Sequence, residues 1–167
     1  MKIDENTNFT NPHGLSDKHN HSTPADVCKI ASLAMKNKHL KDIVSRRYYE
    51  CTVVSKEFNI NLLQWFNSNK LINDYFIGIK TGTTPSAGPC LCGYFTYADF
   101  SVIVCVMNTK TVDSRWKDMA ILCLWALDKH LGQQQLHRES VKAIDNGYNN
   151  KKWIYIMCQL LFKQHIH

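Results

Sequence analysis

What this chain lacks narrows the field first. In 167 residues no apolar run reaches the roughly 18 that a membrane-spanning helix requires. Met1 to Asn11 is polar, with no apolar stretch of the secretory type, so the chain as written reads as soluble and cytoplasmic, without a signal peptide. Without such a signal, the sequons Asn8-Phe9-Thr10 and Asn20-His21-Ser22 read as chance. The 7 cysteines include no Cys-x-x-Cys at zinc spacing, and their odd number points to reduced thiols in place of a disulfide framework. No internal repeat and no low-complexity block interrupts the chain. Basic residues outnumber acidic ones 20 to 14, but they are scattered, not gathered into a stripe with interleaved aromatics, which argues against nucleic acid as a partner. What remains is an ordinary globular composition, 44% hydrophobic and 20% charged, of a size that suits one compact domain.

The polar stretch 1–22 reads as loop. Thr23 is placed to cap a helix, with Pro24 at its first position and the Asp26 carboxylate three residues after the cap, within reach of free backbone N–H groups. Val27, Ile30, Ala31, Ala34 and Met35 follow at helical spacing as far as Lys36, and a second short helix fits His39–Ser45. From Asp74 the period changes to two. Tyr75, Ile77 and Ile79 alternate with Phe76, Gly78 and Lys80, Gly82–Gly88 reads as a turn region, and Cys90–Tyr97 and Phe100–Met107 form two further strands joined by Ala98-Asp99. Asp113 or Ser114 then caps a helix carrying Trp116, Met119, Ala120, Cys123 and Leu127, stopped by Gly132. Helices, then three antiparallel strands, then a packing helix make an α+β fold. The tail beyond differs in character. Trp153–Phe162 is nearly all apolar between Lys151, Lys152 and Lys163, and three readings stay open for it: a docked core segment, a membrane-surface segment, or a tail outside the fold.

The stretch Gly78-Ile79-Lys80-Thr81-Gly82-Thr83-Thr84 carries the chemistry. Lys80 supplies positive charge and Thr81 a directional hydrogen bond, while Gly82 lets a ligand lie against the backbone. Together they suit a carboxylate. The backbone N–H of Thr83 can serve as half of an oxyanion hole, and an edge strand here can pair with an extended peptide. On its own, Lys-Thr-Gly reads first as a strand end with a turn.

Its surroundings are more specific. Phe9-Thr10-Asn11-Pro12-His13-Gly14-Leu15 and Ser22-Thr23-Pro24-Ala25-Asp26 resemble two signatures of the serine-type D-alanyl-D-alanine carboxypeptidases, Phe-x-Asn-Pro-His-Gly-Leu and Ser-Thr-Ala-x-Asp. These enzymes are the low-molecular-mass penicillin-binding proteins of the β-lactamase/transpeptidase superfamily. Asn59-Ile60-Asn61-Leu62-Leu63 is similar to a third family segment, and Gly78–Leu91 to a fourth that includes Ala87, Gly88, Cys90 and Leu91. Arg115 and Asp118 match an Arg-x-x-Asp/Glu pair after the last core strand. The resemblance runs in order from about Asn6 to Leu131, leaving 132–167 as a divergent tail.

The resemblance implies removal of the terminal D-alanine from peptidoglycan stem peptides through an acyl-serine, without metal or other cofactor. It implies a D-Ala-terminated peptide or a β-lactam as the bound partner, held by Lys80, Thr81, Gly82, Thr83 and Arg115, with Asn11, His13, Gly14 and Asp26 as structural residues. Of the three family motifs that carry the chemistry, only Lys-Thr-Gly is present. Ser140-Val141-Lys142 and Ser16-Asp17-Lys18 have the wrong spacing for Ser-x-x-Lys, and Ser114-Arg115-Trp116-Lys117 has the spacing but falls where the family has its C-terminal helix. The expectation is therefore a partial β-lactamase/transpeptidase-like fold, without its N-terminal strands and nucleophile helix, binding but not catalytic on its own. A complementing N-terminal half is then a candidate partner. Two alternatives stand beside this reading: a non-catalytic binding or scaffold protein on the same fold, and a membrane-surface or assembly subunit using Trp153–Phe162. The family itself is extracytoplasmic.

Plainer roles compete at several positions. His13, His19 and His21 are close in sequence, but His13 reads as a loop stabiliser and the others as solvent-facing, not as metal ligands. Cys90 and Cys92 read as packed thiols on one strand face. Trp116 and Trp125 read as core, and Lys36, Lys38 and Lys41 as a solvated face. Arg115 either holds substrate or begins a helix.

Overall fold

The computed structural model describes residues 3–131; Gly132 and Trp153–Phe162 lie outside the described residues. The chain divides into two compact units, Met1–Met119 and Ala120–His167. The first unit opens with α1 (Pro24–Ala34), capped as expected: the Thr23 hydroxyl accepts from the Asp26 N–H at 3.2 Å. Helix α2 (Lys38–Ser45) is capped by Asn37, whose side-chain oxygen accepts from Leu40 N–H at 3.1 Å. Two antiparallel sheets follow. One is a hairpin of β1 (Tyr48–Val54) and β2 (Ile60–Phe66), which the expected order of helices followed by three strands did not include. Tyr48-Tyr49-Glu50-Cys51-Thr52-Val53-Val54 has apolar or aromatic residues at both parities, so no period of two marks it. Neither face is buried.

The second sheet, in the order β3-β4-β5, consists of β3 (Phe76–Thr84), β4 (Gly88–Tyr97) and β5 (Phe100–Val106). The Ala98-Asp99 connection joins β4 to β5 as expected, with Ala98 at φ 51°. The turn region is shorter than Gly82–Gly88: β3 runs on through Gly82 and Thr83 to Thr84, paired against Gly88–Cys90. A bulge at Ile79 also resets the alternation. Gly78 faces Gly93, but Lys80 faces Cys92, so Lys80 shares a sheet face with Ile77 and not with Phe76 and Gly78 as simple alternation implies. Gly78 is required by close approach, because a Cβ there would stand 2.5 Å from the Asn69 side-chain nitrogen.

Phe76, Leu91, Phe95 and Val106 fill the core of this sheet, with Phe76 and Phe95 ring centroids 4.9 Å apart. Helix α1 packs on β5 and β4, burying Ala31, while Val27, Ile30, Ala34 and Met35 are only half-buried. Helix α2 packs on β3. Lys41 is less solvated than expected, since its ammonium lies 5.3 Å from the centre of the Tyr94 ring. Helix α3 (Ser114–Leu131) begins in this unit with Trp116 and Met119 buried. Asp113 directly precedes the helix and its carbonyl accepts from the Trp116 N–H at 3.2 Å, while the Ser114 N–H donates to the Thr111 hydroxyl at 3.0 Å. In the second unit, Ala120, Cys123, Leu124 and Leu127 are buried. Trp125, expected in the core, is 50% exposed. No helix among the described residues is long and apolar enough to cross a membrane.

Candidate functional site

The Lys-Thr-Gly segment lies on β3, an outer strand of its sheet. Lys80 and Gly82 are exposed, and Thr81 is half-buried. The Lys80 ammonium donates to the Thr81 carbonyl. The Thr81 hydroxyl is bonded at 2.6 Å to that of Ser68, which follows β2 and which sequence reasoning did not single out. At Gly82 a Cβ would meet nothing within 4 Å, so the backbone there is open to a ligand.

Arg115 comes to this strand end from α3. One guanidinium nitrogen donates to the Gly82 carbonyl at 3.1 Å, the Thr83 hydroxyl at 3.0 Å and the Cys90 carbonyl at 3.4 Å. The residue is 8% exposed, its guanidinium lies 4.4 Å from the centre of the Trp116 ring, and its Nε has no hydrogen-bond partner among the described residues. It therefore clamps β3 and β4 together at the end of the Lys-Thr-Gly segment. The Thr83 side chain is already engaged with it. Ser114, one residue earlier, is bonded through its hydroxyl to Thr111 at 2.7 Å.

The Asn11–Leu15 loop closes on itself. Asn11 accepts from Gly14 N–H at 2.8 Å and donates to the Leu15 carbonyl at 3.1 Å, and His13 Nδ1 accepts from Leu15 N–H at 3.1 Å. Gly14 sits at φ 74°, where a side chain would be strained. The next residue ties this loop to the β3–β4 turn through a 2.9 Å contact between the Ser16 and Ser86 hydroxyls.

Asp26 does something other than meet the N–H groups of its own helix. Its carboxylate accepts from Asp4 N–H at 3.1 Å, Thr7 hydroxyl at 2.7 Å and Lys29 ammonium at 2.8 Å, knotting the N-terminal segment onto α1. The hydrogen bond from Lys29, then that from Thr7, lowers its pKa from the ordinary 3.8 to about 2. His13, His19 and His21 are exposed, and among the described residues no group of His, Cys, Asp or Glu is arranged to hold a metal. A cavity of about 570 Å³ is lined by residues such as Arg46, Tyr49 and Trp65, and none of the expected site residues borders it.

A family model described as D-alanyl-D-alanine carboxypeptidase matches residues 4–111. The chain belongs to this family. The D-alanyl-D-alanine carboxypeptidase of Streptomyces sp. strain K15 is 35% identical over 116 residues, which is 68% of this chain and 40% of that protein. The carboxypeptidase DacA of Haemophilus influenzae is 31% identical over 125 residues, 72% of this chain and 30% of that one. The crystal structure of the Streptomyces K15 DD-transpeptidase superposes with a TM-score of 0.61 at 35% identity, covering 64% of this chain and 42% of the other. Penicillin-binding protein D2 of Listeria monocytogenes, solved with cefotaxime bound, shares the fold at 24% identity and a TM-score of 0.55, over 70% of this chain and 46% of its own. This carboxypeptidase-family chain thus spans 30–40% of the length of its two curated relatives named here. The α+β architecture with antiparallel sheets is that of the DD-peptidase fold, over part of this chain.

Proposed function

We propose that this chain provides the carboxylate-gripping side of a penicillin-recognising cleft, and that by itself it binds without cleaving. The observation that carries this reading is the exposed outer strand bearing Lys80 and Gly82, braced from behind by Arg115. An ammonium beside an unobstructed strand backbone offers a carboxylate a charged hydrogen bond, and the backbone alongside can align an extended peptide. The ligand is a peptide ending in D-alanine, or a β-lactam, each carrying a carboxylate. Thr81 supplies a hydroxyl, and Thr83 its backbone N–H toward the scissile carbonyl. Acylation needs a serine with a base beside it. The only Ser-x-x-Lys in the sequence is Ser114–Lys117, whose serine is bonded to Thr111, and no Ser-x-Asn relay is present. A polypeptide carrying both motifs would complete the enzyme.

Two measurements test this. A dye-labelled peptide ending in D-Ala-D-Ala should bind reversibly, as followed by fluorescence anisotropy, and Lys80→Ala should weaken it roughly tenfold or more, the size of a lost charged hydrogen bond. Fluorescent penicillin should leave no band on a denaturing gel. A covalent band, or binding indifferent to Lys80, overturns the proposal.

A further inference from the structure

Three thiols the binding site does not use converge on the sheet: Cys28 on α1, Cys92 on β4 and Cys105 on β5. All are free thiols. Cys92 and Cys105 stand directly opposite each other in the β4–β5 register. The connection between these strands fixes what kind of pair they form. Tyr97 and Phe100 close a two-residue loop, and the closing pair of such a hairpin exchanges backbone hydrogen bonds. Bonded and non-bonded pairs then alternate, so Phe95/Val102, Gly93/Val104 and Leu91/Val106 are bonded and Thr96/Ser101, Tyr94/Ile103 and Cys92/Cys105 are not. The Ile103 carbonyl agrees with this parity, because it turns away from β4 and accepts from the Cys28 thiol at 3.7 Å. A non-bonded antiparallel pair brings its Cα atoms to about 4.5 Å, with side chains on one face. That lies inside the span of about 4.4–6.8 Å that a disulfide accepts. The two side chains are therefore direct cross-strand neighbours on one face of the sheet.

We propose that Cys92 and Cys105 are the site of an intramolecular cross-strand disulfide, formed by exchange with a small-molecule disulfide. Cys105 is half-buried and Cys92 buried, so Cys105 meets the oxidant first. Its thiol loses a proton to water, and the thiolate forms a bond to one sulfur of the small disulfide, whose own S–S bond breaks to release one thiolate. Cys92, deprotonated in turn, attacks the Cys105 sulfur and expels the second small thiolate. Two protein thiols are oxidised and one small disulfide is reduced to two thiols. The neighbouring Cys92 sulfur, and then burial, hold the Cys105 thiol well above its ordinary pKa, so exchange is slow at neutral pH and accelerates as pH rises. Cys92 also faces Lys80 on the other side of β4, so the bridge fixes the strand directly behind the binding segment.

The full chain, folded by circular dichroism, is equilibrated with oxidised glutathione over a range of mildly alkaline pH, alkylated and analysed by mass spectrometry. The expected product has two fewer alkylated thiols, the loss of two hydrogens, and a peptide cross-link between Cys92 and Cys105. Cys92→Ser should instead retain glutathione on Cys105, as a mixed disulfide that nothing resolves. Overturning results are a Cys28–Cys105 link, or wild-type protein in which Cys92 and Cys105 stay alkylatable after the half-exposed Cys51 and Cys90 have reacted. Because the wild-type result decides by itself, a variant that fails to fold does not protect the proposal.

Discussion

Asp26 is 1% exposed, yet it remains ionised because three donors converge on it. Its folded pKa of about 2 lies below the ordinary 3.8, so its contribution to stability is complete above the ordinary value and is lost as pH falls toward 2. The urea midpoint of the wild type should therefore drop over that window. Asp26→Asn should start lower at neutral pH, and the gap between the two proteins should close as the medium is acidified. Arg115 works by geometry as much as by charge. Arg115→Lys keeps the charge, but the shorter side chain reaches the Gly82, Thr83 and Cys90 oxygens less well and loses the flat guanidinium held over the Trp116 ring. It should cost about 1–3 kcal/mol in denaturant unfolding, as when a buried charged hydrogen bond is removed, and should weaken peptide binding as well. At this scale the Thr23 cap was readable, because capping is local: hydroxyl, proline and acid fall within four residues. Of the two roles open to Arg115 in the sequence, neither named its acceptors. They lie 25 to 33 residues away, and nothing near Arg115 announces them.

Strand β3 shows where pattern reading succeeds and where it stops. Alternation marks its first half, as far as Lys80, and the Lys-Thr-Gly motif stands out by its chemistry. The stretch that followed, rich in glycine, proline and serine, looked like turn. Pairing with Gly88–Cys90 keeps it extended to Thr84, and tertiary pairing overrides the local preference. The β1–β2 hairpin escaped notice because apolar residues occupy both of its faces. Runs of aromatic and β-branched residues either side of Lys56-Glu57-Phe58-Asn59 were the available signal. Of the two glycines in β3, Gly78 is the one with no room for added volume. Gly78→Ala would drive a methyl into Asn69, whose side-chain oxygen holds the Leu71 N–H at 3.0 Å. Unfolding experiments should register a loss of about 1–3 kcal/mol, the usual cost of overpacking.

For the molecule as a whole, exposed apolar surface is the governing quantity. Ile60 is 74% and Phe66 77% exposed, and among the described residues no strand pairs with the outer edge of β5. Open strand edges and apolar faces of this kind favour association between copies. Sedimentation velocity should accordingly show the weight-average coefficient rising with concentration, and a charged replacement such as Phe66→Lys should reduce the rise. The bulge in β3 has a consequence for the chain's tolerance of length changes. Ile79 is a removable spacer: a chain one residue shorter there still sets Lys80 against Cys92. Were the full-length strand to straighten instead, every later residue would slip one step along β4. Lys80 would then stand where Thr81 now does, with its ammonium moved to the opposite face of the sheet.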